Sequence, residues 1–295
     1  MFEWQFFVLL MSNGVLIGLM YSLIALGFVL VYKATDALNF AQGEFVMIAG
    51  FLVAVALGVW GAPLWLSVLA GLVGMIGFGL ERVVLRPLIG RPIVAVIMAT
   101  IGLAAVLRGF GPLVWGAETR PLALPIPDEP LVWGPLFIPP IQLLGAVVSL
   151  FFLAAFGWFF LKSRRGIAMR AVADNQQVAM AMGINVERYF GLAWAMAGVV
   201  SALGGIVWGS LLGVDVHLAL VGFKVFPVVI LGGLDSVPGA IVGGLIVGIV
   251  ENVAAGYIDP FVGGGTKDFV PYVLMIVALM VRPYGIFGKP IIERV

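Results

Sequence analysis

The chain has 295 residues, of which 62% are hydrophobic and only 11% are charged, and its net charge at pH 7 is +1. Soluble domains carry about 25% charged residues, so this composition predicts an integral membrane protein. The balanced net charge gives no indication of a nucleic-acid partner. The chain lacks cysteine and has a single histidine, His217, which excludes disulfides, thiolate metal sites and multi-histidine metal sites.

Apolar stretches of about 20 residues, the length that a bilayer-crossing helix needs, recur along the chain. A limb at 222–233 is short for a crossing, and it forms a glycine-rich pair with a longer limb at 238–255. We therefore predict an all-α fold with about eight or nine transmembrane helices, including a short or re-entrant pair. The remaining predicted spans are 6–31, 43–61, 63–81, 93–115, 141–161, 189–213 and 269–282.

The positions of lysine and arginine predict the orientation, because cytoplasmic loops retain positive charge. This rule places the N-terminus outside and the C-terminus in the cytoplasm. Residues 116–140 then form the main external loop, and residues 162–188 form the main internal loop. Most basic residues fall on the inner side of this arrangement, and those on or near the outer side are Arg108, Arg120, Lys224 and Lys267. We expect Arg108 and Lys224 to extend toward the outer surface.

The internal loop contains a pattern that predicts a short helix. Asp174 and Gln177 have the spacing of a capping box, and Gly183 can provide a left-handed stop. The predicted helix spans residues 176–182, about two turns.

Three apolar residues of this short helix, Val178, Ala179 and Met182, can share one face. A helix of two turns is unstable alone in water, so it requires a partner surface. Two interpretations are open. The helix lies on the membrane or on the inner face of the protein itself, or it docks to a cytosolic partner.

Polar residues at membrane depth are candidates for function. Asn39, Gln42 and Glu44 cluster beside Gly43 at a predicted helix start, where free backbone N–H groups could hold a carboxylate. They could equally form a polar cap that satisfies a broken backbone, and Glu44 would repel an anionic substrate. Other polar residues in apolar stretches are Asn13, Thr100 and Ser201.

A second break, at residues 232–239, interrupts the glycine-rich pair. It contains Gly233, Ser236, Pro238 and Gly239. Non-helical backbone at membrane depth survives only when it is buried in protein or lines a cavity. We therefore expect both breaks to be buried in protein or to line a cavity.

Three segments, taken in order, resemble the LivH-type permeases, the membrane subunits of branched-chain amino acid ABC importers. The first is Gly18–Gly27 followed by Leu38–Phe45. The second is Arg165–Asn185, with Arg-Ala-Val-Ala-Asp-Asn and Ala-Met-Gly-Ile-Asn. The third, Gly232–Ala240, is similar to the family's Gly-Gly-x-x-Ser-x-Pro-Gly element, with Asp235 where glycine is more usual. The resemblance covers nearly the whole chain.

The resemblance implies a single permease domain over residues 1–295, in the bacterial inner membrane, for branched-chain or related amino acids. Its partners would be a second homologous permease, two cytosolic ATPases, an external solute-binding protein and membrane lipid. The chain would bind no cofactor, since its partners would use the ATP. Residues expected to couple to an ATPase are Arg170, Asp174, Gln177, Val178, Met182 and Gly183. Residues expected along the translocation path are Asn39, Gln42, Gly43, Glu44, Gly233, Ser236, Pro238 and Gly239.

The sequence gives no indication of catalysis. It contains no Gly-x-x-x-x-Gly-Lys-Ser/Thr phosphate loop, and no serine–histidine–acid set can be assembled around one histidine. Two alternatives stay open. One is a self-sufficient secondary transporter or channel, although such proteins usually carry ionisable residues at mid-span and this chain has few. The other is the same ABC role for urea or short amides.

Overall fold

The computed structural model describes residues 2–36, 38–77, 92–127, 129–134 and 136–288. These residues form α-helices, most of them joined by short connections, and one two-stranded hairpin in the longer connection between Trp115 and Pro140. The helices are α1 (Phe2–Thr35), α2 (Gln42–Gly58), α3 (Leu64–Gly77), α4 (Ile93–Trp115), α5 (Pro140–Lys162), α6 (Arg164–Asp174), α7 (Gln176–Ala181), α8 (Val186–Leu212), α9 (Leu220–Gly232), α10 (Val237–Val262) and α11 (Thr266–Val281).

Five of the described helices, α1, α4, α5, α8 and α10, are long and apolar enough to cross a membrane. Helices α2, α3 and α9 are also apolar but shorter. This agrees with the predicted α-helical integral membrane protein, and α4 coincides with the predicted span 93–115. The end of the predicted span 63–81 lies outside the described residues, as do Arg82, Arg86, Arg91, Lys289 and Arg294.

A short β-hairpin departs from the predicted all-α fold. Strands β1 (Leu131–Trp133) and β2 (Leu136–Ile138) pair antiparallel, with Val132 opposite Phe137. The hairpin lies within the predicted external loop. Its strands are only three residues long and outward-facing Trp133 is 81% exposed, so the segment carries no alternating pattern long enough to predict a strand.

The chain divides into two compact units, each assembled from separate segments. Unit 1 contains residues 1–29, 125–150 and 223–295, and unit 2 contains residues 30–124 and 151–222. The predicted single permease domain over residues 1–295 stays a prediction.

In unit 2, helix α2 forms the core. It is buried over nearly its whole length and packs against α3, α4 and α8. The approach of α8 is close, because a Cβ on Gly205 would lie 2.8 Å from the backbone nitrogen of Gly50. Beyond Gln42 and Glu44 in its first turn, α2 is apolar on all sides, as expected of a helix that protein or lipid surrounds completely.

At one end of unit 2, two contacts join the segment after α4 to the segment after α8. Arg120 and Val214 form an isolated antiparallel bridge, and the Thr119 hydroxyl donates to the carboxylate of Asp215 at 2.7 Å. The backbone N–H of His217 donates to the same carboxylate at 2.8 Å. Asp215 thereby caps a 3-10 turn at Val216–Ala219.

In unit 1, helices α1 and α10 pack at glycines. A Cβ on Gly14 would lie 2.6 Å from the Cα of Ile249, and one on Gly18 would lie 2.8 Å from the Cα of Leu245. As residue numbers rise along α1 they fall along α10, so the two helices run antiparallel. Ser22 also donates to the carbonyl of Ile241 at 3.2 Å. Such close approach through small residues is typical of helices packed in lipid.

Candidate coupling surface and buried polar networks

The internal loop predicted at 162–188 contains two helices, where the sequence patterns predicted one. Helix α6 begins after Ser163, whose hydroxyl accepts a hydrogen bond from the N–H of Gly166 at 2.8 Å. Its buried side, Gly166, Met169 and Val172, has the i, i+3 spacing of an amphipathic helix. That spacing, together with the Ser163 cap, is the signal that could have predicted α6.

Helix α7 (Gln176–Ala181) lies close to the predicted helix at 176–182, but its predicted cap was wrong. Asp174 is the last residue of α6, and the cap of α7 is Asn175, whose backbone is extended. The side-chain oxygen of Asn175 accepts from the N–H of Val178 at 2.9 Å. One residue therefore ends α6 and begins α7, and Gly183 ends the turn with φ +80°, as predicted.

The apolar face predicted for α7 is divided between two sides. Ala179 is buried, at 2% exposure, whereas Val178 and Met182 are 57% and 77% exposed. The prediction that the three share a face was therefore wrong, because Ala179 points into unit 2. Met180 joins the outward side at 56% exposure. Val178, Met180 and Met182 together form what we call the α7 apolar surface.

Arg170, predicted to contact an ATPase, faces its own unit. Its guanidinium donates to the carbonyl of Leu161 at 3.3 Å and lies 5.8 Å from the ring centre of Phe160. Lys33 lies over the same ring, at 5.5 Å. These contacts fix α6 against the end of α5. The other predicted coupling residues, Asp174 and Gln177, are exposed.

The structure brings the first polar break together with two of the other polar candidates. The amide of Asn39 donates to the side-chain oxygen of Gln42 at 3.1 Å, and Gln42 donates to the hydroxyl of Ser201 at 2.9 Å. The N–H of Phe40 donates to the hydroxyl of Thr100 at 3.3 Å. All four side chains of this network are fully buried. It satisfies the broken backbone, which favours the polar-cap interpretation, while a role in lining the path stays a prediction.

Glu44 forms an ion pair that the sequence patterns did not predict. Its carboxylate is fully buried and accepts from the guanidinium of Arg108, whose side chain is 41% exposed. Arg108 was expected to extend toward the outer surface, and that expectation was wrong. A fully buried carboxylate is a stronger attraction for a guanidinium than the surface, because an uncompensated buried charge is costly.

Gly43 is the residue that allows this break to be so compact. A Cβ at Gly43 would overlap the carbonyl oxygen of Ala219 and lie 3.1 Å from the Cα of Gly222. The start of α2 and the start of α9 therefore touch backbone to backbone within unit 2. This contact gives Gly43 a packing role.

The second break, in unit 1, is a tight turn covered by the C-terminal segment. The hydroxyl of Ser236 accepts from the N–H of Gly239 at 3.0 Å and caps α10, with Pro238 in its first turn. Gly233 has φ +109°, a conformation that favours glycine, and a Cβ there would lie 2.6 Å from the nitrogen of Gly288. The backbone N–H of Ile286 donates to the carbonyl of Leu231, and that of Phe287 donates to the carbonyl of Gly232. These contacts hold the break together.

A second buried charged group, in unit 1, was missed altogether. Glu251 of α10 is 3% exposed and accepts a hydrogen bond from the hydroxyl of Tyr21 at 3.3 Å. The ammonium of Lys224 lies 3.8 Å from Glu251 and 2.8 Å from Asp268, whose side chain is 77% exposed. The expected extension of Lys224 toward the outer surface stays a prediction. Glu251 lies within the predicted limb 238–255, and an ionisable residue in an apolar stretch is the signal that could have identified it.

These features define a polytopic α-helical membrane protein. It has buried polar networks and a short helix pair, α6 and α7, with exposed apolar side chains. The sequence profile of the family described as "Branched-chain amino acid transport system / permease component" matches residues 10–279. The chain belongs to this family, and it is a permease component with a transport role.

Characterised relatives match over almost the full length. The chain is 33% identical to the high-affinity branched-chain amino acid transport system permease protein LivH of Escherichia coli K12, covering 99% of both proteins. It is 32% identical to the permease protein BraD of Pseudomonas aeruginosa, covering 96% of both. These matches confirm the LivH-type resemblance, and they support the transport role over the alternative of a self-sufficient secondary transporter or channel.

One solved structure has a similar fold. It is PsaBC from Streptococcus pneumoniae in complex with a Fab, with a TM-score of 0.54 at 12% sequence identity, covering 94% of this chain and 93% of that chain. At this identity the likeness concerns the fold alone.

Proposed function

We propose that the chain is the membrane-spanning subunit of an ATP-driven importer of branched-chain amino acids in the bacterial inner membrane. Its N-terminus lies outside and its C-terminus in the cytoplasm, and α9 is a short limb beside the full-length α10. A second homologous permease completes the pathway, two cytosolic ATPases supply energy, and an external binding protein delivers the solute. The full-length match to LivH and BraD supports this substrate class.

The α7 apolar surface is the observation that carries the proposed coupling role. Val178 and Met180 project from a helix of six residues, and Met182 is the exposed residue at its C-terminal cap. A helix of this length is too short to persist alone in water. Caps at Ser163, Asn175 and Asn185 fix α6, α7 and α8 in sequence. Exposed methionine and valine on a rigid, capped helix suit insertion into a hydrophobic groove.

Attachment of α7 to the membrane helices explains how motion would be transmitted. Gln176 donates to the carbonyl of Ala34, at the end of α1, at 3.2 Å, and Ala179 is buried against unit 2. A displacement of α7 by an ATPase would therefore reach the end of α1 and the start of α8. The basic residues Lys162, Arg164, Arg165 and Arg188 surround this region, as expected on a cytoplasmic side.

The test uses aspartate substitutions in the complete complex, reconstituted with its ATPases and binding protein. Met182→Asp places a charge in the proposed hydrophobic groove, and we expect loss of ATPase assembly and of ATP-driven leucine uptake. Ala171→Asp, on the exposed side of neighbouring α6, is the matched control and should leave both intact. Normal assembly and uptake with both Val178→Asp and Met182→Asp would show that the α7 apolar surface does not couple the chain to an ATPase.

A further inference from the structure

The polar cluster around Glu251 extends from the surface into the buried core of unit 1. Asp268 lies at the start of α11, and its side chain is 77% exposed. The side chain of Lys224 is 26% exposed, and Glu251 is buried. Lys267 reaches the cluster as well, donating to Asn252 at 3.3 Å. Glu251 lies about three turns before the end of α10 at Val262. Exposure therefore falls along the cluster, from the carboxylate of Asp268 at the surface, through Lys224, to the buried carboxylate of Glu251.

Glu251 is held in place at one oxygen only. Its Oε1 accepts the Tyr21 hydrogen bond and faces the Lys224 ammonium at 3.8 Å. Its Oε2 is buried and receives no hydrogen bond from any part of the chain that the structure describes. A buried carboxylate oxygen without a donor is costly, so the geometry calls for a donor from outside the chain.

Lys224 is divided between two carboxylates. Its closest contact is the exposed Asp268 at 2.8 Å, while the longer contact of 3.8 Å leaves Glu251 incompletely neutralised. The lysine also donates to the carbonyl of Lys267 at 3.5 Å. A purely structural buried ion pair would close to hydrogen-bond distance, because its stability depends on good geometry. Here a cation and an anion lie side by side, and the anion keeps one buried oxygen to which the described part of the chain donates no hydrogen bond.

We propose that Glu251 and Lys224 form a binding site for the ammonium and carboxylate groups of an amino acid zwitterion. The ammonium would donate to Oε2 of Glu251, and the carboxylate would face Lys224, displacing Asp268. Two bonds of about 1.5 Å each separate the ammonium nitrogen of an α-amino acid from its carboxylate carbon, so the zwitterion can lie antiparallel to the protein pair. The arrangement compensates both charges of the solute where water is scarce.

This inference rests on the proposed function, because it assumes that the solute is an amino acid. It adds a recognition site for the α-ammonium and α-carboxylate groups, which all amino acids share. The site would therefore accept branched-chain side chains without selecting among them.

The experiment measures contact between L-leucine and the complex in lipid nanodiscs, without binding protein, by saturation-transfer NMR. We expect a leucine signal from the wild-type complex, and at least about tenfold weaker binding with Glu251→Gln or Lys224→Met. Glu3→Gln, the same change at an exposed position of α1, is the control and should keep the signal. Isocaproate, which is leucine without its ammonium, should bind weakly to the wild type, and Glu251→Gln should no longer distinguish it from leucine.

A structural ion pair gives a different result. It would lower the thermal stability of both variants and leave the preference of the folded complex for leucine over isocaproate unchanged, which would overturn the proposal. Absence of a leucine signal from the wild type would also overturn it. If Glu251→Gln fails to assemble, Tyr21→Phe removes only the orienting hydrogen bond and should weaken leucine binding several-fold. Wild-type ATP-driven uptake, measured separately with binding protein, tests the proposed function on its own.

Discussion

The side-chain oxygen of Asn175 accepts a hydrogen bond from the N–H of Val178 at 2.9 Å, and this single contact begins helix α7. The same residue ends α6. The orientation of Val178 and of the α7 apolar surface therefore depends on Asn175 more than on Asp174, the residue that the sequence pattern favoured.

Removing the cap should loosen α7. Asn175→Ala is expected to destabilise α7 by about 1 kcal/mol, because the N–H of Val178 loses its acceptor. Amide hydrogen exchange at residues 176–182 should accelerate, and ATPase assembly should weaken. Gln177→Ala, which truncates an exposed side chain inside α7, is the matched control and should change exchange little. Equal acceleration in the two variants would contradict the assignment of the cap.

The Glu44–Arg108 pair should show strong coupling in a double-mutant cycle. Arg108→Gln leaves a buried carboxylate without its cation and should lower the free energy of unfolding by about 1–3 kcal/mol, a range reduced because Arg108 is partly exposed. Glu44→Gln should cost less, and the double variant should resemble Glu44→Gln alone. Denaturant unfolding in detergent measures all three. Additive losses would show that the two side chains do not interact.

The backbone contact at Gly43 predicts a strict size limit. Gly43→Ala places a Cβ against the carbonyl oxygen of Ala219 and should destabilise unit 2 by about 1–3 kcal/mol through overpacking. The control is Gly102→Ala in α4, where a Cβ meets nothing within 4 Å; it should be neutral or stabilising by up to about 1 kcal/mol. Thermal unfolding compares the two. Similar melting temperatures would mean that α2 and α9 do not touch at Gly43.

The contacts of Asp215 predict that the stability of the fold depends on pH. Burial raises the pKa of Asp215, but hydrogen bonds from Thr119 and His217 outweigh it, so the pKa is lowered from its ordinary value of 3.8. A carboxyl group with a lowered pKa stabilises the fold above its unfolded pKa, and that stabilisation is lost as pH falls through the folded value. The stability advantage of wild type over Asp215→Asn should therefore begin to fall near pH 4 and be lost as the pH drops below the folded pKa of Asp215. A constant advantage down to pH 3 would contradict the contact.

The sequence predicted the long helices well and the charged contacts poorly. Helix α4 matched its predicted span because about 20 apolar residues between polar boundaries leave few alternatives. Helix α6 was missed because its exposed Arg164 and Arg165 hide the spacing of Gly166, Met169 and Val172. Local patterns describe neighbours in the chain, so they could not show that Glu44 would meet a residue 64 positions away, or that Tyr21 would meet one 230 positions away.

Leucine uptake by the purified chain in liposomes, compared with uptake by the complete complex, tests whether this permease component works only as part of an ATP-driven importer. We predict that the chain alone transports nothing under an ion gradient, and that uptake appears only with the second permease, the ATPases, the binding protein and ATP. Ion-driven uptake by the chain alone would identify a self-sufficient transporter and contradict the proposed importer function.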